Sequence, residues 1–309
     1  MKPVIVVLGS LNMDFVVRTG HLPACGETVL GSAFQMIPGG KGANQACAAG
    51  RLTSGALVRM VGRVGYDMFA DHLKASLAAA GVDVSAVSPV RSESTGVAFI
   101  SVDATGQNCI IVASGANNVF PASDIEGSRS SFRNSLYALF QLETPLETVA
   151  AGLRLAKREG AKTILDPAPA QRLSRELLTA VDILTPNESE ACILLGSAPG
   201  RITLTDAPAL ARQVLQMGPA AVVLKLGEQG CYYVDGVRAI HSPAFSVAAA
   251  DTTAAGDTFN AALAVALTEG QPVEQALRFA NGAAALSVTR AGAQASIPLR
   301  SEVDEFLKS

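Results

Sequence analysis

Between residues 251 and 260 the chain reads Asp-Thr-Thr-Ala-Ala-Gly-Asp-Thr-Phe-Asn, two acids separated by five small or hydroxylic residues and followed by an alanine-rich stretch. Small side chains at Ala254, Ala255 and Gly256 leave backbone N–H groups open to close approach. If a helix opens there, its N-terminus adds partial positive charge, and the turn is ready to hold an anion such as phosphate. Asp257, at the same turn, could accept a proton from a hydroxyl attacking that phosphate. An acid at a helix start also serves simply to offset the helix dipole, an effect of ~0.3–1 kcal/mol. The run of small residues between two acids favours the chemical role.

A second polar turn is Ile37-Pro-Gly-Gly-Lys-Gly-Ala-Asn-Gln45. Gly39 and Gly40 supply flexible backbone, while Lys41, Asn44 and Gln45 set donors at the start of a helix. The spacing is not that of a G-x-x-x-x-G-K-[ST] phosphate loop, so the segment reads as a glycine-rich binding turn or as a tight strand-to-helix connection. Gly9-Ser-Leu-Asn-Met-Asp14 follows the first apolar run and lacks G-x-G-x-x-G, which removes the main support for a dinucleotide enzyme. Asn12 and Asp14 are two apart, so an extended chain points both to one side, suited to vicinal hydroxyls. Asx residues after a strand are also ordinary turn formers.

The elements that must position these segments alternate. Val4–Leu8, Ala56–Val61, Lys162–Leu165, Asp182–Leu184 and Ala221–Leu226 read as buried parallel strands. Helices are expected over Ala43–Ala49, Asp67–Ala80, Pro145–Glu159, Thr205–Met217, Ala255–Leu267, Pro272–Thr289 and Glu302–Leu307. Single helices between strands imply a mostly parallel sheet covered on both faces. Asp14–Thr19, Glu27–Ile37, Gly96–Ser101 and Cys109–Ser114 break the rhythm as strands, the last two joined by Asp103-Ala-Thr-Gly106. They predict a small second sheet, a lid formed by about 12–37 and 94–114, on a single domain spanning 1–309. A hairpin at Cys231–Val234 and Arg238–His241 would extend the main sheet.

Composition narrows the function. With 49% hydrophobic and 17% charged residues, the chain can bury a large core and is not disordered. A net charge of −3 and the absence of any Lys/Arg block speak against nucleic acid as the main ligand. No apolar run approaches the ~20 residues needed to cross a bilayer, and Val4–Leu8 is too short for a secretory core, so a cytoplasmic location is expected. The five cysteines are scattered without a C-x-x-C pair, and the three histidines stand apart, so neither a disulfide framework nor a zinc site is expected.

The runs Gly-Gly-Lys-Gly-Ala-Asn-Gln and Asp-Thr-Thr-Ala-Ala-Gly-Asp-Thr-Phe resemble the two signatures of the PfkB carbohydrate kinase family, also called the ribokinase family. The likeness continues through Gly9–Asp14, Pro23–Thr28, Glu93–Ala98, Gln141-Leu-Glu143, Asp166-Pro-Ala-Pro169, Thr185-Pro-Asn-Glu188 and Gly292-Ala-Gln294. The resemblance implies a ribokinase-like α/β fold with a central, mostly parallel sheet, flanking helices and a small β lid through which two copies dimerise. It implies ATP-dependent phosphorylation of a sugar, D-ribose on the 5-hydroxyl before 2-deoxyribose, a nucleoside or a ketohexose. A non-catalytic sugar-binding regulator is the rival of another class, disfavoured because base, anion turn and nucleotide loop are all present. By resemblance Asp257 is the base and Ala254, Ala255 and Gly256 its anion hole. Asn12, Asp14, Gly40, Lys41, Asn44 and Glu143 match the sugar set. Asn187, Lys225, Gly227, Gly230, Gly256 and Asn281 match the ATP site. Glu190 is associated with Mg2+, and Asp251, Thr253, Ser287, Arg290, Gly292 and Ser296 fall on positions for a monovalent cation, K+. Lys225 departs from the pattern, standing where a small hydroxyl residue is usual; Ser287 and Ala295 replace commoner alanine and proline.

Overall fold

In a computed structural model, which describes residues 2–308, nine strands form one sheet and four form another. The strands in chain order are β1 (Val4–Leu8), β2 (Asn12–Arg18), β3 (Ala33–Gly39), β4 (Leu57–Val64), β5 (Val82–Pro89), β6 (Gly96–Val102), β7 (Asn108–Ala113), β8 (Ser135–Phe140), β9 (Lys162–Leu165), β10 (Ile183–Leu184), β11 (Ala221–Lys225), β12 (Cys231–Asp235) and β13 (Ala239–Ser242). The helices are α1 (Lys41–Leu52), α2 (Met68–Ala79), α3 (Arg129–Phe132), α4 (Leu146–Arg158), α5 (Arg175–Thr179), α6 (Glu188–Leu194), α7 (Ala207–Gln216), α8 (Ala255–Thr268), α9 (Val273–Ser287) and α10 (Arg300–Phe306).

The large sheet runs β13-β12-β11-β10-β9-β8-β1-β4-β5, parallel from β11 to β5, with the expected β12–β13 hairpin antiparallel at one edge. β1 lies inside the sheet, third from the β5 edge, with every residue buried, and the alternation of its side chains splits the core. Ile5 and Val7 pack with residues of α1, α2, α8 and α9, while Val4, Val6 and Leu8 pack with α4, α5, α6 and α7. Both faces are thus covered, as parallel sheets require.

The small sheet has the order β3-β2-β6-β7. Asn12 pairs with Gly39 on one side and Gly96 on the other, so this strand is held from both flanks. The β6–β7 turn forms as expected: Asp103 accepts from the backbone N–H of Thr105 and Gln107, and Gly106 takes a φ of 85°.

One expected strand is shorter than read, and two strands were not expected. The strand foreseen over Glu27–Ile37 is regular only as β3; Glu27 is instead engaged by the backbone of Ala24 and the ring of His21, and a Cβ on Gly31 would press on Val17. β5 and β8 were not anticipated. Ser-Leu-Tyr-Ala-Leu-Phe has no β-branched residue, and leucine and alanine suit a helix equally well. Among the described residues no helix is long and apolar enough to cross a membrane.

Candidate active site

Parallel strands deliver their ends to one edge, and polar residues collect there. Ser10 follows β1, Gln141 and Glu143 follow β8, Asp166 follows β9, Asn187 follows β10 and Lys225 ends β11. α1 and α8 start at the same edge. A cleft of ≈ 480 Å³ opens between them, with Lys41, Asp166, Asn187, Glu190, Lys225, Gly227 and Ala254–Asp257 among its lining.

Asp257 stands in the first turn of α8 and is 5% exposed. Its Oδ2 accepts from Asn44 Nδ2 at 3.1 Å and its Oδ1 from Gln45 Nε2 at 3.0 Å. Burial pushes its carboxyl up to about 6; Lys41 counters, Asp166 adds to the rise, and the two amides pull it down. The group is therefore ionised at neutral pH yet close enough to titration to take a proton. Ala254, the residue before α8, adopts the left-handed region with φ 59°. This is a costly backbone for a residue with a Cβ, and it aims the opening of α8 into the cleft. The N–H groups of Gly256 and Asp257 find no acceptor among the described residues. These unpaired N–H groups stand where the anion turn was expected.

The glycine-rich turn lies against it. Gly40 has φ 87°, and a Cβ there would meet the Asn12 backbone nitrogen at 2.7 Å, so a side chain is excluded where the start of α1 approaches the start of β2. Glu143 sits at the N-terminus of α1: its Oε2 accepts from Ser10 Oγ at 2.5 Å and from the Lys41 N–H at 3.0 Å. Burial works against the charge on Lys41, but Asp257, Asp166, Glu143 and Glu190 outweigh it and hold the ammonium firmly protonated. Asp14 is pushed up to about 7, first by burial and then by Glu143 and Asp257, which brings it into the same cluster. Asn12 is buried and accepts from Asn117 Nδ2 at 2.8 Å. Of the expected sugar set, Asn44 touches Asp257, Lys41 and Asp14 lie within its electrostatic reach, Glu143 joins through the Lys41 N–H, and Gly40 lies against Asn12.

The comparisons with known proteins agree with this geometry. The family model for pfkB family carbohydrate kinases matches residues 2–300. The chain belongs to the pfkB carbohydrate kinase family. Within this family it is 44% identical to the ribokinase of Bacillus subtilis, over 98% of this chain and 99% of the relative. It is 41% identical to the ribokinase of Haemophilus influenzae, over 100% and 99%. It is 36% identical to a deoxyribokinase of Salmonella typhi, over 98% of each chain. The structure of Arabidopsis thaliana ribokinase complexed with ribose and ATP superposes with a TM-score of 0.91 at 35% identity, covering all of both chains.

Among the residues expected for ATP, Asn187 caps α6: it accepts from the Glu190 N–H at 2.8 Å while Glu190 accepts from the Asn187 N–H at 2.7 Å. Burial raises the Glu190 carboxyl; Lys225 counters and Asp166 reinforces it. Gly227 and Gly230 carry the turn after β11 at positive φ. Asn281 does not reach the cleft with its amide nitrogen, which donates to Ser242 and Pro243 and so pins the chain after β13.

The six residues expected around a monovalent cation are only partly brought together through side chains. Asp251 accepts from the Thr253 N–H and hydroxyl and from the Gly292 N–H, tying the α8 turn to the 290–296 loop. Ser287 and Ser296 donate to carbonyls of their own turns, and Arg290 pairs with Glu302. Any cation there would draw on backbone carbonyls. Among the described residues no cluster of three or more His, Cys, Asp or Glu is placed to hold a metal ion.

The residues the sequence reading left without a role are Asp166, Gln141, Ser10 and Asn117. Gln141 Nε2 donates to Gln45 Oε1 at 2.7 Å, and Gln45 Nε2 reaches Asp166 Oδ2 at 3.3 Å as well as Asp257. Their signal was positional, since Ser10, Gln141 and Asp166 follow the C-terminal ends of parallel strands, where ligands of such sheets bind.

Proposed function

We propose that this chain is an ATP-dependent sugar kinase that phosphorylates D-ribose on the 5-hydroxyl, giving ribose 5-phosphate and ADP. The observation that carries this is Asp257, a buried carboxylate held by two amides beside unpaired N–H groups at the opening of α8. Asp257 accepts the proton of the 5-hydroxyl as that oxygen attacks the terminal phosphorus and the bond to the departing ADP breaks. The N–H groups of Gly256 and Asp257 receive the charge that builds on the transferred phosphoryl group. Asn12, Asp14, Lys41, Asn44 and Glu143 hold the sugar. Asn187 and the Lys225–Gly230 turn hold the nucleotide, behind Asn281.

Magnesium would be held beside this nucleotide by Glu190, a carboxylate on the cleft wall, together with the phosphates, and would supply neutralisation of triphosphate charge. Potassium fits the 251–253 and 290–296 backbone, where Asp251 already fixes both segments. Turnover should then be higher in potassium than in sodium or choline at matched ionic strength, and equal rates in the three salts would remove the cation from the account. The β2-β3-β6-β7 sheet serves as the lid and as the seam of a homodimer working in the cytoplasm. Its support is the exposed apolar set Phe34, Met36, Phe99, Ile110, Ile111 and Val112.

The deciding experiment measures sugar-dependent ADP release with ribose, 2-deoxyribose, fructose and adenosine side by side. Ribose should give the highest kcat/KM. Asn12 and Asp14 are the groups that a missing hydroxyl would leave unpaired, at roughly 5- to 150-fold. A preference for 2-deoxyribose would overturn the acceptor, and no turnover with any sugar would leave a binding protein.

A further inference from the structure

Lys225 ends β11, and its side chain is 13% exposed. Its Nζ lies 2.9 Å from Oδ1 of Asp166, whose side chain is 3% exposed. A Cβ built on Gly256 would meet one atom from elsewhere in the fold, and that atom is Lys225 Nζ at 3.4 Å. The ammonium therefore sits over the opening of α8, where the N–H groups of Gly256 and Asp257 lack acceptors. Lys41 lines the same cleft. Two ammonium groups and a helix N-terminus converge on one space, and this combination suits a multiply charged anion.

Asp166 does not neutralise that space entirely, because it is shared. Its second oxygen accepts from Gln45, whose same nitrogen holds Asp257. The ion pair stores the lysine in a desolvated position beside the base instead of leaving it free in solvent. A lysine offers three donors on a flexible stem and can turn toward a new oxygen without rebuilding the backbone. The phosphoryl group next to Asp257 is the one that accepts the sugar oxygen, so the group within reach of Lys225 is the terminal one.

We infer that Lys225 binds the terminal phosphoryl group of a nucleoside triphosphate, turning from Asp166 to the phosphate oxygens when the nucleotide enters and back when the diphosphate remains. The inference rests on the kinase reading and adds to it a residue that separates ATP from ADP. A diphosphate has nothing at that position, so Lys225 stays on Asp166 and contributes nothing to holding the product.

The test is calorimetric titration, with magnesium and without sugar, of the β,γ-imido analogue of ATP and of ADP. Lys225→Met should weaken the triphosphate analogue roughly 10-fold or more, as expected for a charge-assisted hydrogen bond, and ADP by less than about 2-fold. Lys225→Met alone strands Asp166, so the Lys225→Met/Asp166→Asn double variant is titrated as well. It should melt near the wild-type temperature and show the same selective loss. Equal weakening of both nucleotides, or an unweakened triphosphate in the folded double variant, would overturn the inference. The titrations need no turnover, so they support or sink Lys225 independently of the sugar assay.

Discussion

At the scale of single residues, the site is a set of charges that disagree with their surroundings. Asp257 and Asp14 are both raised, and burial is the leading cause in each. For Asp257 this sets a pH limb. As the proposed base, Asp257 would work only when ionised, so kcat/KM should fall about tenfold per pH unit below about 6. Asp257→Asn should lower turnover at least ~10²-fold while ribose still binds; near-normal turnover would exclude it as the base. Asp14 gives a stability prediction. Below its unfolded value near 3.8 both states are protonated; between there and about 7 the native state holds a proton that the unfolded chain has lost; above about 7 both are ionised and the penalty is complete. Replacing it with Asn should therefore stabilise the fold, by an amount that grows from about pH 4 and levels off above 7. At about 1.4 kcal/mol per unit, and discounting for the open side of the cleft, the gain at pH 8 is on the order of 2 kcal/mol. Denaturant melts of Asp14→Asn at pH 4 and pH 8 measure it, with sugar affinity falling in the same variant. A gain of equal size at both pH values would show that charge is not the cause.

At the scale of elements, the turn into α8 is where local structure becomes chemistry. A Cβ on Gly256 meets nothing closer than the Lys225 ammonium at 3.4 Å, the far end of a flexible side chain. Gly256→Ala should therefore fold normally, and better helix propensity could add up to ~1 kcal/mol. The added methyl nonetheless occupies the approach to the N–H groups proposed to receive the phosphoryl charge. Turnover should drop at least ~10-fold with an unchanged or higher Tm; full activity would mean that the anion does not use this turn. The turn was legible in the sequence because its parts are consecutive: Asp251 through Asp257 fall in one run, and so do Gly39 through Gln45. The same holds for β1, β9 and β11, whose β-branched runs sit between clear breaks. β8 was not legible, since Leu, Tyr, Ala and Phe carry no period that separates strand from helix. Asp166 and Gln141 escaped for a different reason. Each is one polar residue after a strand, and only strand order sets β8, β9, β10 and β11 side by side with their ends aligned.

At the scale of the molecule, the small sheet couples the sugar end of the cleft to the protein surface. β2 supplies Asn12 and Asp14 at its beginning and lies between β3 and β6. One face of the sheet is a cluster of rings in which Phe15 stacks on Phe34 and Phe99 and meets Phe69 of α2 edge-on. Phe34 and Phe99 remain more than half exposed, as does Ile111, which pairs with Phe99 from the edge strand β7. A contiguous apolar patch of this kind on a four-stranded sheet calls for a cover, and a second copy of the same sheet matches it in character. Such a cover would stiffen β2 and with it Asn12 and Asp14, proposed to hold the sugar, while the residues proposed for the nucleotide lie on β11 of the large sheet and on α6. Ile111→Asp tests this, because Ile111 is 66% exposed on the edge strand β7, so the sheet itself should survive the change. Light scattering should show the variant as a monomer where the wild type is a dimer. Its KM for ribose should rise several-fold, with ATP affinity within about 2-fold of wild type. A dimer that persists in Ile111→Asp would move the seam elsewhere, and a monomer with unchanged ribose KM would cut the link between the seam and the sugar.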